Sequence, residues 1–197
     1  MSSLTDSLFL IIALTINLSA TENLFKNEIW EGSSAAKVKI FVYESLTCPH
    51  CADFHEKIYP LLKKDFIDTG LVQIYFKSFP LDLAGLNASK IVHCLNADSR
   101  LSFLHNLYKT QKKWVKGSTI DEINNNLEVS LNQFGINYLD QKKCFENKEI
   151  EDFILNGRID AANKYKINST PTLIINEKKF EKSLEYKNIK KAIEKLI

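Results

Sequence analysis

Glycine and proline are scarce in this chain, 6 and 4 among 197 residues, and neither sign of charge dominates, with 26 Lys and Arg against 24 Asp and Glu. The first shortage excludes a collagen-like, disordered or low-complexity chain. The second, a formal net charge of +2, gives no electrostatic argument for a nucleic-acid partner or an anionic membrane surface. Metal-ligand spacing is lacking too. A tetrahedral zinc needs four ligands, and the sequence holds one C-x-x-C, no second one and no H-x-x-x-H. No metal and no cofactor is therefore expected. Hydrophobic residues make up 45% of the chain and aromatics 11%, enough for one core at this length, or for one domain carrying an insertion.

Long apolar runs are also missing. The longest, residues 8–18 (LFLIIALTINL), is eleven residues long, whereas a membrane-spanning helix needs roughly 20. Its length fits the apolar part of a secretory signal ending at Ala20, so residues 1–20 are read as a signal peptide. No Lys or Arg precedes Lys26 and Asp6 sits where a positive charge is usual, which leaves an uncleaved anchor or a mis-assigned start as alternatives.

Past Gly32 the chain turns regular. Val38, Ile40 and Val42 alternate with Lys39 and Phe41 as in a strand. Cys48-Pro49-His50-Cys51 follows, then Phe54, Ile58, Leu61 and Leu62 at helical spacing, with Pro49 in the first turn, where its missing N–H costs nothing. Pro60 should kink or loosen the far end of this helix. Residues 71–76 (LVQIYF) read as a second strand, parallel to the first through a right-handed crossover. About 80 residues with helix signals follow. Among them Thr119-Ile120-Asp121-Glu122 is a capping box, leading a stripe of Ile120, Ile123, Leu127, Leu131 and Phe134. Residues 170–175 and 179–180 read as a hairpin around an Asn176-Glu177-Lys178 turn, and Tyr186, Ile189, Ile193 and Leu196 mark a closing helix.

The C-x-x-C carries chemistry because of where it stands. At a helix start, unpaired N–H groups and the macrodipole stabilise an anion, so Cys48 is the expected thiolate. Cys51, one turn in on the side of Phe54 and Ile58, should be buried, less acidic and able to close the ring on Cys48. His50 adds a donor, or a positive charge when protonated, beside the Cys48 sulfur. An inert disulfide or half a zinc site are the plainer readings of the pair. His55, His93 and His105 lie on helix patterns without a partner motif and read as structural or solvated.

The order strand, C-x-x-C, helix, strand, helical insert, X-Pro-strand-strand, helix resembles the thioredoxin fold, an α/β fold, here with an inserted all-helical domain. Residues 46–51 (LTCPHC) and 169–172 (STPT) look like the DsbA family of exported thiol:disulfide oxidoreductases. The resemblance implies a thioredoxin-like domain in two parts, residues 21–84 and 161–197, around a helical insertion over residues 85–160. It implies that Pro171 is the cis-proline facing the cysteines, and that the Thr170 backbone is free to pair with an extended substrate chain. It further implies a periplasmic oxidase acting on unfolded, cysteine-containing exported proteins, a membrane-bound reoxidising partner of the DsbB type, and a monomer. Two departures stand out. Thr170 replaces the Val of the best-known oxidases, as in isomerase- and reductase-type relatives. Val42 occupies the place of a buried acid six residues before the first cysteine, with Glu44 two positions on and on the same strand face only if no bulge intervenes. Isomerase or reductase activity is thus the alternative enzyme, and a non-catalytic chaperone the alternative of another class.

Cys94 and Cys144 remain. Four cysteines allow three pairings, and if Cys48 bonds to Cys51 only Cys94 with Cys144 is left. In an exported chain this is the expected structural disulfide of the helical insertion, against the plain reading of two small buried hydrophobes.

Overall fold

The computed structural model describes residues 28–132, 134 and 138–197. The expected signal peptide, residues 1–20, lies outside them. The elements run β1 (Ile29–Gly32), β2 (Val38–Glu44), α1 (Pro49–Asp53), a π-helical turn (Phe54–Ile58), α2 (Tyr59–Leu62), a second π-helical turn (Lys63–Ile67) and β3 (Val72–Ser78). The insert follows as α3 (Leu83–Cys94), α4 (Ala97–Lys109), α5 (Gln111–Trp114), α6 (Ile120–Asn132), α7 (Tyr138–Glu146) and α8 (Lys148–Tyr165). The chain closes with β4 (Thr172–Ile175), β5 (Lys178–Lys179) and α9 (Tyr186–Ile193).

The sheet has the order β1-β3-β2-β4-β5. The expected parallel pair, β2 with β3, keeps an unbroken register from Val38 opposite Val72 to Glu44 opposite Ser78. Period two therefore holds to the end of the strand, and Glu44 shares the face of Val38, Ile40 and Val42. β4 pairs antiparallel with β2 and turns into β5 through Asn176 and Glu177, both at positive φ (43° and 66°), the backbone of a tight hairpin turn. The Asn176 side chain also accepts from the Lys39 N–H at 2.8 Å. β1, which no periodicity announces in four residues, adds antiparallel to the other edge. It ends at Gly32, where φ is 101° and a Cβ would come within 2.4 Å of the Val72 carbonyl oxygen, so only glycine fits.

Around Pro60 the helix is loosened into π-helical winding, as expected. The proline sits in the first turn of α2, directly after the first π-helical turn, and the wider winding there carries the chain past a residue with no N–H to donate. The capping box forms as spelled: Glu122 N–H donates to Thr119 Oγ1 at 3.2 Å, and Glu122 Oε2 accepts from Thr119 N–H at 3.2 Å. Phe134 falls beyond the end of α6, 38% exposed, with its ring against Phe103.

One continuous core joins Ile40, Val42, Phe54 and Ile74 of the sheet and first helix to Leu107, Trp114, Leu127 and Leu131 of the insert. The opposite sheet face holds a smaller cluster of Tyr43, Phe79, Ala161, Ile167 and Ile174. α8 runs unbroken through residue 160 to Tyr165, and its last turn covers this far face.

Candidate active site

The site begins where β2 ends. The chain turns through Ser45, whose carbonyl accepts from the Cys48 N–H at 3.0 Å. Cys48 caps α1 in extended conformation, Pro49 opens the helix, and no side chain takes the first N–H groups. They point at the Cys48 sulfur instead. The Cys48 thiol is held at about 5, against an ordinary 9.0. The Cys51 thiol, donating to the Cys48 sulfur, is the largest cause. The Thr170 side chain and the Cys51 and His50 backbone N–H groups add to it, against partial burial. His50 thus contributes through its backbone, and its ring is exposed. Cys51 is fully buried. Burial first, then the neighbouring Cys48 and Glu44, pushes its thiol far above the ordinary value. Both cysteines are free thiols.

Thr170 and Pro171, joined by a cis peptide bond, face this pair from the start of β4. The Cys48 Sγ donates to the Thr170 carbonyl at 3.3 Å, so with Cys48 a thiol that carbonyl is engaged rather than free. The Thr170 hydroxyl is buried and faces the Cys48 sulfur. Beside them opens a cavity of about 620 Å³, lined by His50, Phe54, Ile58, Pro171, Leu184 and Tyr186 among others. It is apolar enough for an extended chain laid against the proline.

The insert holds this loop in place through residues the sequence did not single out. Buried Gln111 in α5 donates to the carbonyls of Leu46 (2.8 Å) and Cys48 (2.9 Å). Asp82 caps α3 by accepting from Gly85 N–H at 2.7 Å and also accepts from the Thr47 hydroxyl at 2.8 Å. At Gly85 a Cβ would stand 2.9 Å from Ser45 Oγ. Left unpaired, the Leu46 carbonyl would cost about 1–3 kcal/mol, whereas the Cys48 carbonyl also accepts from the Cys51 and Ala52 N–H groups. No motif marks Gln111, because its partners are backbone atoms more than 60 residues away.

Two of the histidines read as structural or solvated stand beside the site. His55 Nε2 lies 2.8 Å from Glu44 Oε2, and His55 Nδ1 lies 2.9 Å from His105 Nδ1. Glu44 is 3% exposed, on the face that looks towards Cys51. It takes up the position that Val42 left without an acid, two residues later on the same strand face. His93 is elsewhere, 3.0 Å from the Ser78 hydroxyl.

Cys94, the last residue of α3, is joined to Cys144 of α7, with S–S 2.07 Å and Cα–Cα 5.7 Å, inside the range a disulfide needs. One turn before it, buried Lys90 donates to the Phe145 carbonyl and to Glu151 Oε2, so that α3, α7 and α8 are tied at one place. Among the described residues no cluster of His, Cys, Asp and Glu could hold a metal ion.

A free cysteine pair opening a helix, facing a cis-proline across a mixed sheet with a helical insert, is the arrangement of a thioredoxin-fold thiol protein. A family model described as Thioredoxin matches residues 25–195, and the chain belongs to that family. It is 29% identical over 173 residues to the disulfide bond formation protein D of Bacillus subtilis, covering 83% of this chain and 74% of that protein. It is 26% identical over 184 residues to a Rickettsia typhi protein, covering 92% of this chain and 66% of that one. The chain spans between about half and two thirds of the length of the Rickettsia relatives it matches. The crystal structure of Wolbachia pipientis alpha-DsbA1 superposes with a TM-score of 0.77 at 27% identity, covering 86% of this chain and 90% of that one.

Proposed function

We propose that this chain is a thiol:disulfide oxidoreductase that forms disulfides in exported, cysteine-containing proteins, with Cys48 and Cys51 as the redox pair. The observation that carries the reading is the split between the two thiols, one held at about 5 and the other pushed up by burial. Stabilising the Cys48 thiolate favours the reduced pair and so makes the disulfide a stronger oxidant. In the oxidised protein a substrate thiolate attacks Cys48 Sγ. A substrate–Cys48 bond forms, the Cys48–Cys51 bond breaks, and Cys51 leaves as a thiolate that takes up a proton. A second substrate thiolate then attacks the substrate sulfur, closing the substrate disulfide and releasing Cys48 as the stabilised thiolate. Buried Glu44, whose charge acts on Cys51, is the base this reading assigns to the Cys51 proton, and the cavity beside Thr170 and Pro171 receives the substrate backbone.

The reduced pair needs a disulfide donor to reoxidise it, which this reading assigns to a membrane-bound partner of the DsbB type. The expected signal over residues 1–20 and the Cys94–Cys144 disulfide support an oxidising compartment such as the periplasm. Among the described residues no helix is long and apolar enough to cross a membrane. This reading takes the protein as a monomer.

The test is oxidation of a reduced two-cysteine peptide by the oxidised protein. Wild type converts it, and Cys48→Ser falls to the uncatalysed rate. An equilibrium with glutathione in which the protein is the weaker oxidant would give the reductase reading instead. No conversion by wild type, with client protection kept in Cys48→Ser, would leave the chaperone.

A further inference from the structure

The oxidoreductase cycle gives Cys51 a problem that its burial creates. With no exposed surface, this sulfur has to gain a proton each time a substrate is oxidised and lose one before it can attack Cys48 again. Next to it three side chains from three elements stand in single file. Glu44 ends β2, His55 lies on the first π-helical turn and His105 on α4, at 2.8 Å and 2.9 Å from one to the next. The file is open at both ends. Glu44 Oε1 and His105 Nε2 are buried with no hydrogen bond of full geometry closed on them, the buried Tyr108 hydroxyl standing near Glu44. Glu44 acts on Cys51 at one end. At the other, His55 and half-buried His105 line a second cavity of about 760 Å³ on the far side of α1 from the substrate groove. A purely structural network would be expected to close its ends, because an unpaired buried polar group is costly.

We propose that Glu44, His55 and His105 form a one-proton relay between the Cys51 sulfur and this second cavity, separate from the path by which substrate reaches Cys48. The inference rests on the oxidoreductase reading above. Each member has one donor or acceptor site on either side, so a single hop reverses every bond in the file. When Cys51 gives up its proton, Glu44 takes it. Glu44 passes a proton to His55 Nε2, His55 passes one from Nδ1 to His105 Nδ1, and His105 releases one from Nε2 to water in the cavity. Afterwards Glu44 is a carboxylate accepting from His55 Nε2–H, and His55 Nδ1 accepts from His105 Nδ1–H. Once the Cys51 proton is on Glu44, the acid donates to His55 Nε2 and His55 Nδ1–H donates to His105 Nδ1, so the file is hydrogen-bonded before the hop as well as after it and runs in both directions. Throughout, no histidine has to rest as a cation. The surroundings suit that: His105 is held near 3 by burial, by His55 and by Lys63.

The ring positions are fixed by packing. His55 is stacked on Tyr108 of α4 with centroids 4.1 Å apart, and His105 on Tyr59 of α2 at 4.5 Å. The titratable groups facing the file are Glu44 from β2, Cys48 and Cys51 around α1, Tyr59 from α2, Lys63 from the second π-helical turn and Tyr108 from α4. Burial and neighbouring acids push both tyrosines upward, and Lys63 is held by Glu31 and Asp68. Neither tyrosine nor Lys63 shares the working range of the relay. His55 and His105 are thus positioning residues that act through Glu44.

The experiment follows reduced protein mixed with oxidised glutathione, quenched and resolved by mass into reduced, glutathione-bound and oxidised forms. In His105→Phe, which keeps an aromatic ring against Tyr59, the glutathione adduct on Cys48 should accumulate. Its resolution by Cys51 should slow by about tenfold or more, within the range that proton transfer contributes. The pH profile of Cys48 alkylation and the final equilibrium with glutathione should match wild type. In His105→Ala, added imidazole should restore the rate. Resolution at the wild-type rate in His105→Phe overturns the relay, as does a slowing accompanied by a shifted Cys48 profile, or a failure of imidazole to act. If neither variant folds, adduct resolution by wild type in D₂O decides: a slower step supports the relay, and an unchanged one overturns it. Wild type that neither forms the adduct nor oxidises a dithiol peptide would sink the oxidoreductase reading itself, a separate result.

Discussion

Cys48 and Cys51 lie three positions apart and are free thiols, whereas Cys94 and Cys144 lie 50 apart and are bonded. The first pair shares one helix start, where backbone N–H groups, a neighbouring thiol and Thr170 all favour a negative sulfur at Cys48. The second pair joins two helices of the insert that Lys90 already draws together through Phe145 and Glu151. One environment favours the charged form of Cys48, and the other holds two sulfurs of separate helices within bonding range. A cysteine's redox behaviour is thus set by what surrounds it in the fold, and the two pairs show both outcomes within one chain.

The comparison can be broken most severely at the closed pair. Replacing Cys94 and Cys144 together by Ser releases a loop of 50 residues, for which the chain-entropy estimate is about 4 kcal/mol. The thermal midpoint of the double variant should fall by roughly 8–16 °C for a protein of this size, while the pH profile of Cys48 alkylation stays in place. A displaced profile would show that the two pairs are not independent.

A smaller effect is expected at Gln111, the one side chain that ties the insert to the carbonyls beside Cys48. Gln111→Leu leaves the Leu46 carbonyl unpaired at a cost of about 1–3 kcal/mol, while the Cys48 carbonyl keeps the Cys51 and Ala52 N–H groups, and it should raise the alkylation midpoint of Cys48 as the helix start loosens. Denaturant unfolding and an alkylation series measure the two. A loss of stability with an unmoved midpoint would make Gln111 a packing residue only.

The mildest test is pH alone. Cys48 is held at about 5 in the folded reduced protein, below its unfolded value. Between these two values the unfolded chain binds more protons at this group, so the contribution to stability rises with pH and is lost as pH falls through about 5. The oxidised protein has no such thiol. The melting temperature of the reduced form relative to the oxidised form should therefore climb as pH is raised from 5 towards 9, by an amount that solvent screening of the partly accessible sulfur keeps modest. A flat difference would mean that Cys48 is an ordinary thiol.

Local features were legible because neighbouring residues in the chain produce them. The alternation of Val38, Ile40 and Val42 gave the strand, the Thr119 to Glu122 spacing gave the helix start with its two reciprocal bonds, and Pro49 inside C-x-x-C put Cys48 at the cap position. The 3.6 and 2.0 periods and the cap rules act over a few residues, so one sequence suffices to see them. β1 was not visible, since four residues with exposed Trp30 carry too short a pattern to count. Nor does a helix stripe say where an insertion ends, because α8 continues unbroken past residue 160 and changes neighbours rather than secondary structure.

The sequence by itself determined the strand–cysteine–helix unit, the helical middle and the returning hairpin, because hydrophobic period, proline placement and capping are short-range physics written in adjacent letters. Only the tertiary structure decided that Glu44 meets His55 and His105, that Gln111 holds the Cys48 loop, and that α3 and α7 bring two distant sulfurs within bonding range. These contacts join residues between 11 and 65 positions apart. What brings them together is burial of a common core, and that core fixes which buried polar groups must find one another.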